Sequence, residues 1–260
     1  MKRGLVLSLG ATILALSPGT AVAQDEEAAA PTAYVLGSYW QCDMNREARA
    51  DEIMEQVTGP IYQKHVDAGH LLSWGYLGHD TGGAWRRANY YSAADRDQLM
   101  AMRNAIVDEL LNGPDAETTA EFIDICPTHV DYIWRGVTSS PADPATAVRP
   151  YAALSSYYVC EGGTGQRVNE LVKDVFKPIL DRHVEAGDIN SWSWLAHEVG
   201  GKYTHLFVAD GPDHASILNG LDAMGADLGA EAGAEVAEFA GACGVHQDYL
   251  WNIIAQGTAN

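Results

Sequence analysis

The segment PIYQKHVDAGHLLSW, residues 60–74, recurs as PILDRHVEAGDINSW at residues 178–192. Each copy carries apolar residues at helical spacing up to a glycine, and a short run ending in Ser-Trp follows. This pattern predicts a helix that ends at a glycine cap and leads into a strand. The recurrence of such a specific segment indicates an internal duplication.

The register set by this segment extends over most of the chain. The offset between the copies is 118 residues, and it becomes 117 after a one-residue deletion. Rare residue types keep their places in this register. The matched pairs include Cys42/Cys160, His79/His197, Cys126/Cys243 and His129/His246. We therefore predict two tandem repeats, residues 33–137 and 151–256, joined by a proline-rich linker at residues 138–150.

The first repeat predicts the element order β-α-β-β-α-β, which is a split βαβ, or ferredoxin-like, unit. A Gly-Gly pair marks the hairpin turn between the middle strands, and Ser92 is the expected cap of the second helix. The predicted elements are a strand at 34–41, a helix at 47–68, strands at 71–79 and 85–91, helices ending near 111 and at 125, and a strand at 128–135.

One such unit leaves one face of its sheet without helices. Two units in one chain can place these faces together and bury both. The predicted fold is therefore α+β, with two tandem ferredoxin-like repeats forming an intramolecular barrel.

The run from Pro60 to Trp74 resembles the first helix and second strand of the dimeric α/β-barrel superfamily. That superfamily includes antibiotic-biosynthesis-type monooxygenases and the NIPSNAP and EthD-like families. The resemblance implies a dimeric α/β barrel built within one chain and a ligand pocket between sheet and helices. It brings no catalytic signature that can be transferred residue by residue.

The N-terminus is typical of a secretory signal peptide. Lys2 and Arg3 precede a short apolar run at residues 5–16, and Ala21-Val22-Ala23 matches a cleavage site. Cleavage is expected after Ala23, which leaves a flexible leader at residues 24–32. We predict a periplasmic or secreted protein.

The formal net charge is −19. Such an acidic chain lacks the basic patch needed to bind nucleic acid, and no later stretch is long and apolar enough to cross a membrane. We expect no nucleic-acid partner, no membrane insertion, and a monomer with pseudo-dimeric symmetry. The expected partner is a small-molecule ligand.

Four cysteines in an exported chain favour disulfides over metal thiolates. In the predicted topology, the end of the first strand and the end of the last helix lie at the same edge of the sheet. We therefore predict the pairs Cys42–Cys126 and Cys160–Cys243, one in each repeat.

The doubled histidines are candidate site residues because each stands near a carboxylate, as in general-base pairs and metal sites. Purely structural roles are the competing interpretation. His79 and His129 are predicted at one sheet edge and could converge, whereas His65 is predicted at the opposite edge. No zinc-binding spacing is present, and no metal site is predicted.

Aromatic and polar residues on the strands complete the set of candidates for a ligand pocket. The first repeat is the more polar at these positions. The candidate ligand-binding residues are His79, His129, Asn89, Tyr39, Trp74, His197, His246 and Trp192.

The leading functional hypothesis is that the protein binds a small hydrophobic or aromatic molecule between sheet and helices. A cofactor-independent monooxygenase or isomerase is the first alternative, and a structural or interaction protein is the second. A haem protein resembling chlorite dismutase or the dye-decolourising peroxidases is a further alternative. Against it, the peroxidases' G-x-x-D-G motif is missing, because the nearest stretch begins with Phe207. No cofactor is predicted.

Overall fold

Eight antiparallel strands close into a barrel in the computed structural model, which describes residues 33–141 and 151–258. The predicted signal peptide and leader, and most of the predicted linker, lie outside the described residues. The strands are β1 (Tyr34–Gln41), β2 (Ser73–Thr81), β3 (Arg87–Ala93), β4 (Thr128–Ser139), β5 (Ala152–Val159), β6 (Ser191–Val199), β7 (His205–Gly211) and β8 (Val245–Thr258).

The strand order around the barrel is β1-β3-β2-β8-β5-β7-β6-β4, and β4 pairs again with β1. Residues 33–141 form the N-terminal half and residues 151–258 the C-terminal half. The two halves meet where β2 pairs with β8 and where β4 pairs with β6. The long last strand of each half makes these contacts, which explains why β4 extends to Ser139, beyond the predicted end at Arg135.

Helices cover the outer face of the barrel. In each half, the first helix is interrupted by a π-helical segment, at Met54–Thr58 and at Leu171–Phe176. The α-helices are α1 (Glu47–Ile53), α2 (Gly59–Asp67), α3 (Arg96–Asn112), α4 (Ala116–Ile125), α5 (Gly165–Glu170), α6 (Lys177–Ala186), α7 (His214–Glu231) and α8 (Gly233–Ala242). No helix in the described residues is long and apolar enough to cross a bilayer.

The predicted helix cap at Ser92 is wrong, whereas the predicted turn at Gly82 is confirmed. Ser92 does not cap α3, because it lies in β3 and its hydroxyl is 2.7 Å from that of Ser73. Asp95 is the cap instead, and its carboxylate accepts a hydrogen bond from the backbone N–H of Gln98. The predicted turn at Gly82 is present: its φ of 135° favours glycine, and a Cβ there would collide with the backbone of Asp248.

Aromatic side chains fill the interior of the barrel. Tyr39, Tyr157 and Trp134 meet near its centre, with ring centroids of Tyr39 and Tyr157 5.4 Å apart. Separate hydrophobic layers lie between the sheet and the helices of each half. The barrel is therefore a packed core, and a ligand site in either half must be sought outside it.

Both predicted disulfides are confirmed. Cys42 is bonded to Cys126 and Cys160 to Cys243, across 84 and 83 residues of chain. Each bond links the end of a half's first strand to the end of its last helix. In the chain-entropy account, a loop of this length stabilises the fold by about 4 kcal/mol.

Candidate functional site

A cavity of about 250 Å³ lies in the N-terminal half, between the outer face of the sheet and the helices. We call it the sheet–helix cavity. Its floor comes from alternate residues of β1, β3 and β4, which point to one face of the sheet. The π-helical segment contributes Met54 and Thr58, and α3 and α4 form the opposite wall. Most of the lining is aliphatic or aromatic, as is typical of pockets for small organic ligands.

A chain of hydrogen bonds crosses the floor of this cavity. The indole N–H of Trp40 donates to Asn89 Oδ1 at 2.6 Å, and Asn89 Nδ2 donates to the hydroxyl of Tyr62 at 3.0 Å. Asn89 is only 4% exposed, so these two bonds fix the orientation of its amide. Because Tyr62 accepts from Asn89, its own O–H is available to donate to a ligand.

The tyrosines of the cavity are held in the neutral form. Burial raises the pKa of Tyr62 far above its ordinary value, and the nearby Asp131 carboxylate adds to the effect. Burial also raises the pKa of Tyr91, although Arg103 opposes that rise. Both phenols are therefore hydrogen-bond donors at neutral pH and poor bases.

A second polar group lies at the side of the cavity. The hydroxyl of Ser38 donates to Asp131 Oδ1 at 2.7 Å, and His129 Nε2 is 3.4 Å from Asp131 Oδ2. The ring of His129 also rests against Trp40, with centroids 4.2 Å apart. The His129–Asp131 pair is partly open to solvent, since each of the two side chains is 42% exposed.

Two further polar side chains line the cavity, and neither has a hydrogen-bond or ion-pair partner among the described residues. Thr119 is 8% exposed, and its hydroxyl has no hydrogen-bond partner in the described residues. Arg103 lies on α3 and reaches the cavity from the helix side. The unmet hydrogen-bonding capacity of these groups is available to a ligand in the cavity.

Of the residues singled out from the sequence in the N-terminal half, Asn89 and His129 line the cavity. Tyr39 lies inside the barrel, where burial raises its pKa to about 12. Trp74 packs beneath α2 and donates to Gln63 Oε1 at 2.9 Å. Neither of these two side chains contributes to the lining.

His79 does not meet His129. Its ring contacts Tyr249 and Trp251 on the inner side of the barrel, whereas His129 rests on the outer face. Burial and the neighbouring Arg86, whose guanidinium lies 2.8 Å from Nδ1, lower the pKa of His79. His79 is thus a neutral residue at the barrel end, and the idea of one pocket shared by both histidines is wrong.

The candidates in the C-terminal half have structural contacts. His197 lies against Tyr132 and Trp134, as His79 does against their counterparts. Trp192 is buried and donates to Asp181 Oδ1 at 3.0 Å. His246 pairs with Asp248 at 3.3 Å, so the exposed histidine–carboxylate pair is common to both halves.

Sequence reasoning missed several lining residues, chiefly Trp40, Tyr62, Ser38 and Arg103. Ser38 and Trp40 share one face of β1 by the period of two, so this pair could have been proposed together. Tyr62 carried a weaker clue: the matching position in the second copy of the opening segment is Leu180.

A cluster of potential metal ligands in the C-terminal half has no free thiolate. His205 lies close to the sulfur atoms of Cys160 and Cys243, but those two atoms are bonded to each other. A disulfide sulfur is a poor metal ligand, since metal binding by cysteine requires the thiolate. In the oxidised protein this cluster is therefore not a metal site.

A second depression, of about 320 Å³, lies at one end of the barrel. Tyr132 and Tyr249 line it, and their hydroxyls bond to the backbone of the turns around Tyr203 and Trp85. Tyr203 in turn donates to Gln247. The tyrosine hydroxyls here already have partners in the barrel, in contrast to the hydroxyl of Thr119 in the sheet–helix cavity.

No known family model matches this sequence, and no curated protein matches it. Solved structures do resemble it. A proposed monooxygenase from Lactobacillus acidophilus is 8% identical with a TM-score of 0.60 and covers 88% of this chain and 97% of its own. A proposed monooxygenase from Fusobacterium nucleatum is 8% identical with a TM-score of 0.61, covering 88% and 95%.

An anthrone oxidase-like protein is 12% identical with a TM-score of 0.57, covering 89% of this chain and 94% of its own. None of these three proteins is named as NIPSNAP or EthD-like. At such identities the likeness establishes the fold: this chain is an α+β protein of the dimeric α/β-barrel type. The activities of these neighbours do not transfer with the fold.

Proposed function

We propose that this protein binds a small aromatic molecule bearing an oxygen substituent in the sheet–helix cavity. The observation that carries this proposal is the Trp40–Asn89–Tyr62 chain of hydrogen bonds on the floor of an otherwise apolar cavity. Three linked side chains leave one O–H free to donate into the cavity. A phenol or carbonyl oxygen of the ligand would accept that bond.

The size of the cavity limits the ligand. Its volume of about 250 Å³ is below the range of about 300 to 1,000 Å³ that is typical for drug-sized ligands. A molecule with a single ring or two fused rings fits this limit. The aromatic walls, Tyr91 and Phe122 among them, suit the edges and faces of such rings.

An origin of the fold by duplication agrees with ligand binding in the N-terminal half alone. We propose that the chain is a duplicated ferredoxin-like unit in which only the N-terminal half keeps a pocket. In support, Ser38 pairs with Asn89 and with Asp131, while Ser156 pairs in the same register with Phe207 and with Asp248. We also propose that the chain is exported, since its two disulfides are suited to an oxidising compartment. We propose that it is a monomer, since one chain supplies all eight strands of the closed barrel.

Titration with 2-naphthol tests the binding proposal. We expect the wild-type protein to bind it with a stoichiometry of about one and to lose this binding in Asn89→Phe, because the added ring would fill the space that a buried ligand needs. Phe207 occupies the corresponding position in the C-terminal half, so phenylalanine is compatible with this place in the sheet. His246→Ala is the matched control and should bind as the wild type does. Failure of the wild type to bind would favour a structural role instead.

A second candidate function is a cofactor-independent oxygenase, which the His129–Asp131 pair beside the cavity favours. The pair would remove a proton from an activated CH2 group of the substrate, and the carbanion would add to O2. The resulting hydroperoxide, once protonated, would lose water and leave a carbonyl group. The names of the monooxygenase and anthrone oxidase-like neighbours are compatible with this chemistry.

Oxygen uptake in the presence of 2-indanone, a two-ring ketone whose CH2 groups are activated by a carbonyl and an aromatic ring, tests this second candidate. We expect the wild type to consume O2 above the buffer rate and His129→Ala to lose about 10²-fold or more in rate, the usual contribution of a general base. His246→Ala should keep full activity. An equal rate in His129→Ala and the wild type would reject the assignment of His129 as the base.

A further inference from the structure

We propose that the sheet–helix cavity selects a ligand with an anionic group, a carboxylate or a phenolate, and that Arg103 binds this group. The inference rests on the proposed binding function and specifies its ligand class. It comes from the charge pairing of the arginines in residues 33–141 and 151–258, together with the placement of Arg103 at the cavity.

Arginines in this protein are almost always paired with carboxylates. Nine arginines lie in the described residues, and eight of them have a carboxylate oxygen within 4 Å. Arg103 is the exception among the described residues. The chain carries 35 acidic residues against 16 basic ones, so an arginine without a carboxylate is unexpected.

The surroundings of Arg103 indicate which class of ligand would pair with its guanidinium group. Arg103 and the unpartnered hydroxyl of Thr119 line the same cavity, together with the phenol of Tyr91. The surrounding surface of α3 and α4 is apolar: Val107, Leu111 and Ile123 are 40%, 50% and 44% exposed. A guanidinium in such surroundings gains most from a planar anion that it can contact through two N–H groups.

The C-terminal half shows that the fold itself does not need this charge. Asp95 caps α3 and Asp213 caps α7, and the residue eight positions after each cap is Arg103 or Leu221. Leu221 packs against the hydrophobic layer of its half. An arginine therefore stands where the same framework accepts a leucine, and it occurs in the half that has the cavity.

The net charge of the protein affects how an anionic ligand can be bound. With a net charge of −19, the surface repels anions at long range. A local cation would offset that field for an anionic ligand. Arg103 supplies this cation at the cavity, and salt should weaken the attraction where the site is open to water.

Binding of 2-naphthoate and of its neutral counterpart 2-naphthamide tests the inference by isothermal titration calorimetry. We expect the wild type to prefer the carboxylate, and Arg103→Leu to lose affinity for it by about tenfold to a hundredfold, the usual worth of a hydrogen-bonded charge. Affinity for the amide should stay the same. Arg103→Lys keeps the charge and should recover part of the loss. Arg167→Leu, which removes a surface arginine paired with Glu238 in the other half, should change neither affinity.

The contrary results distinguish a failure of this inference from a failure of the binding proposal. Equal binding of carboxylate and amide by the wild type would overturn the inference and leave the binding proposal standing. The same holds if Arg103→Leu retains the preference, or if 2-naphthol binds and 2-naphthoate does not. If neither 2-naphthol nor either of the two probes binds, the binding proposal and this inference fail together.

Discussion

The two halves of the barrel share one backbone plan but use the space beneath their helices differently. In the N-terminal half, Thr58, Tyr62 and Asn89 surround a cavity. In the C-terminal half, Phe176, Leu180 and Phe207 stand at the corresponding places and belong to a hydrophobic layer. Both halves keep the π-helical segment and the exposed histidine–carboxylate pair. The two halves thus differ at these places in side-chain size, on one backbone plan, and under the proposed function this difference decides which half binds the ligand.

Removing the disulfide should lower the free energy of unfolding equally in the two halves. Replacing Cys42 and Cys126 together by alanine should lower the free energy of unfolding by about 4 kcal/mol, because each bond closes a loop of similar length. Replacing Cys160 and Cys243 should cost the same. Denaturant unfolding monitored by tryptophan fluorescence measures both. A much larger effect in one half would show that the halves contribute unequally to the stability of the barrel.

Shortening matched side chains should separate the halves. Phe176 is 6% exposed, and Phe176→Ala should cost about 3 kcal/mol or more because it opens a void in a packed layer. Thr58→Ala should cost roughly 1 kcal/mol or less, since Thr58 already borders a cavity. Thermal and denaturant unfolding give both values. Similar costs at the two positions would mean that the N-terminal layer is packed as tightly as the C-terminal one.

The strands and disulfides could be predicted closely from the sequence, since they depend on local alternation and on the order of elements. Strand β1 begins and ends where its aromatic run predicts. The π-helical segments could not be predicted, because hydrophobic periodicity hardly distinguishes them from an α-helix. The faces of His79 and His129 depend on how β2 and β4 are placed in the closed barrel, and irregular register in both seams obscures that placement.

A buried histidine makes stability in the C-terminal half depend on pH. Burial lowers the pKa of His205 to about 4, whereas Arg87 stands in its place in the N-terminal half. Since the unfolded value is near 6.5, the stability from the neutral imidazole is present above about pH 6.5 and is lost as pH falls towards 4, by roughly 1 to 3 kcal/mol. His205→Gln should flatten the stability profile in this window. An unchanged slope would mean that other groups cause the acid sensitivity.

Removing one hydroxyl should affect binding and leave stability nearly unchanged. Tyr62→Phe takes away the donor at the floor of the cavity and should weaken binding of 2-naphthol by about tenfold. Tyr158→Phe is the matched control on the outer face of β5, where the ring rests against His246. It should leave the affinity unchanged. An equal loss in both variants would indicate a general effect of tyrosine removal.

The most direct test of the account is a crystal structure of the protein soaked with 6-bromo-2-naphthol, with the bromine located by its anomalous scattering. We expect one bromine peak per chain, in the N-terminal half between β3 and α3, with the ligand oxygen near the hydroxyl of Tyr62. A peak beneath the helices of the C-terminal half, or only at the end of the barrel beside Tyr132 and Tyr249, would contradict the assignment of the sheet–helix cavity as the binding site.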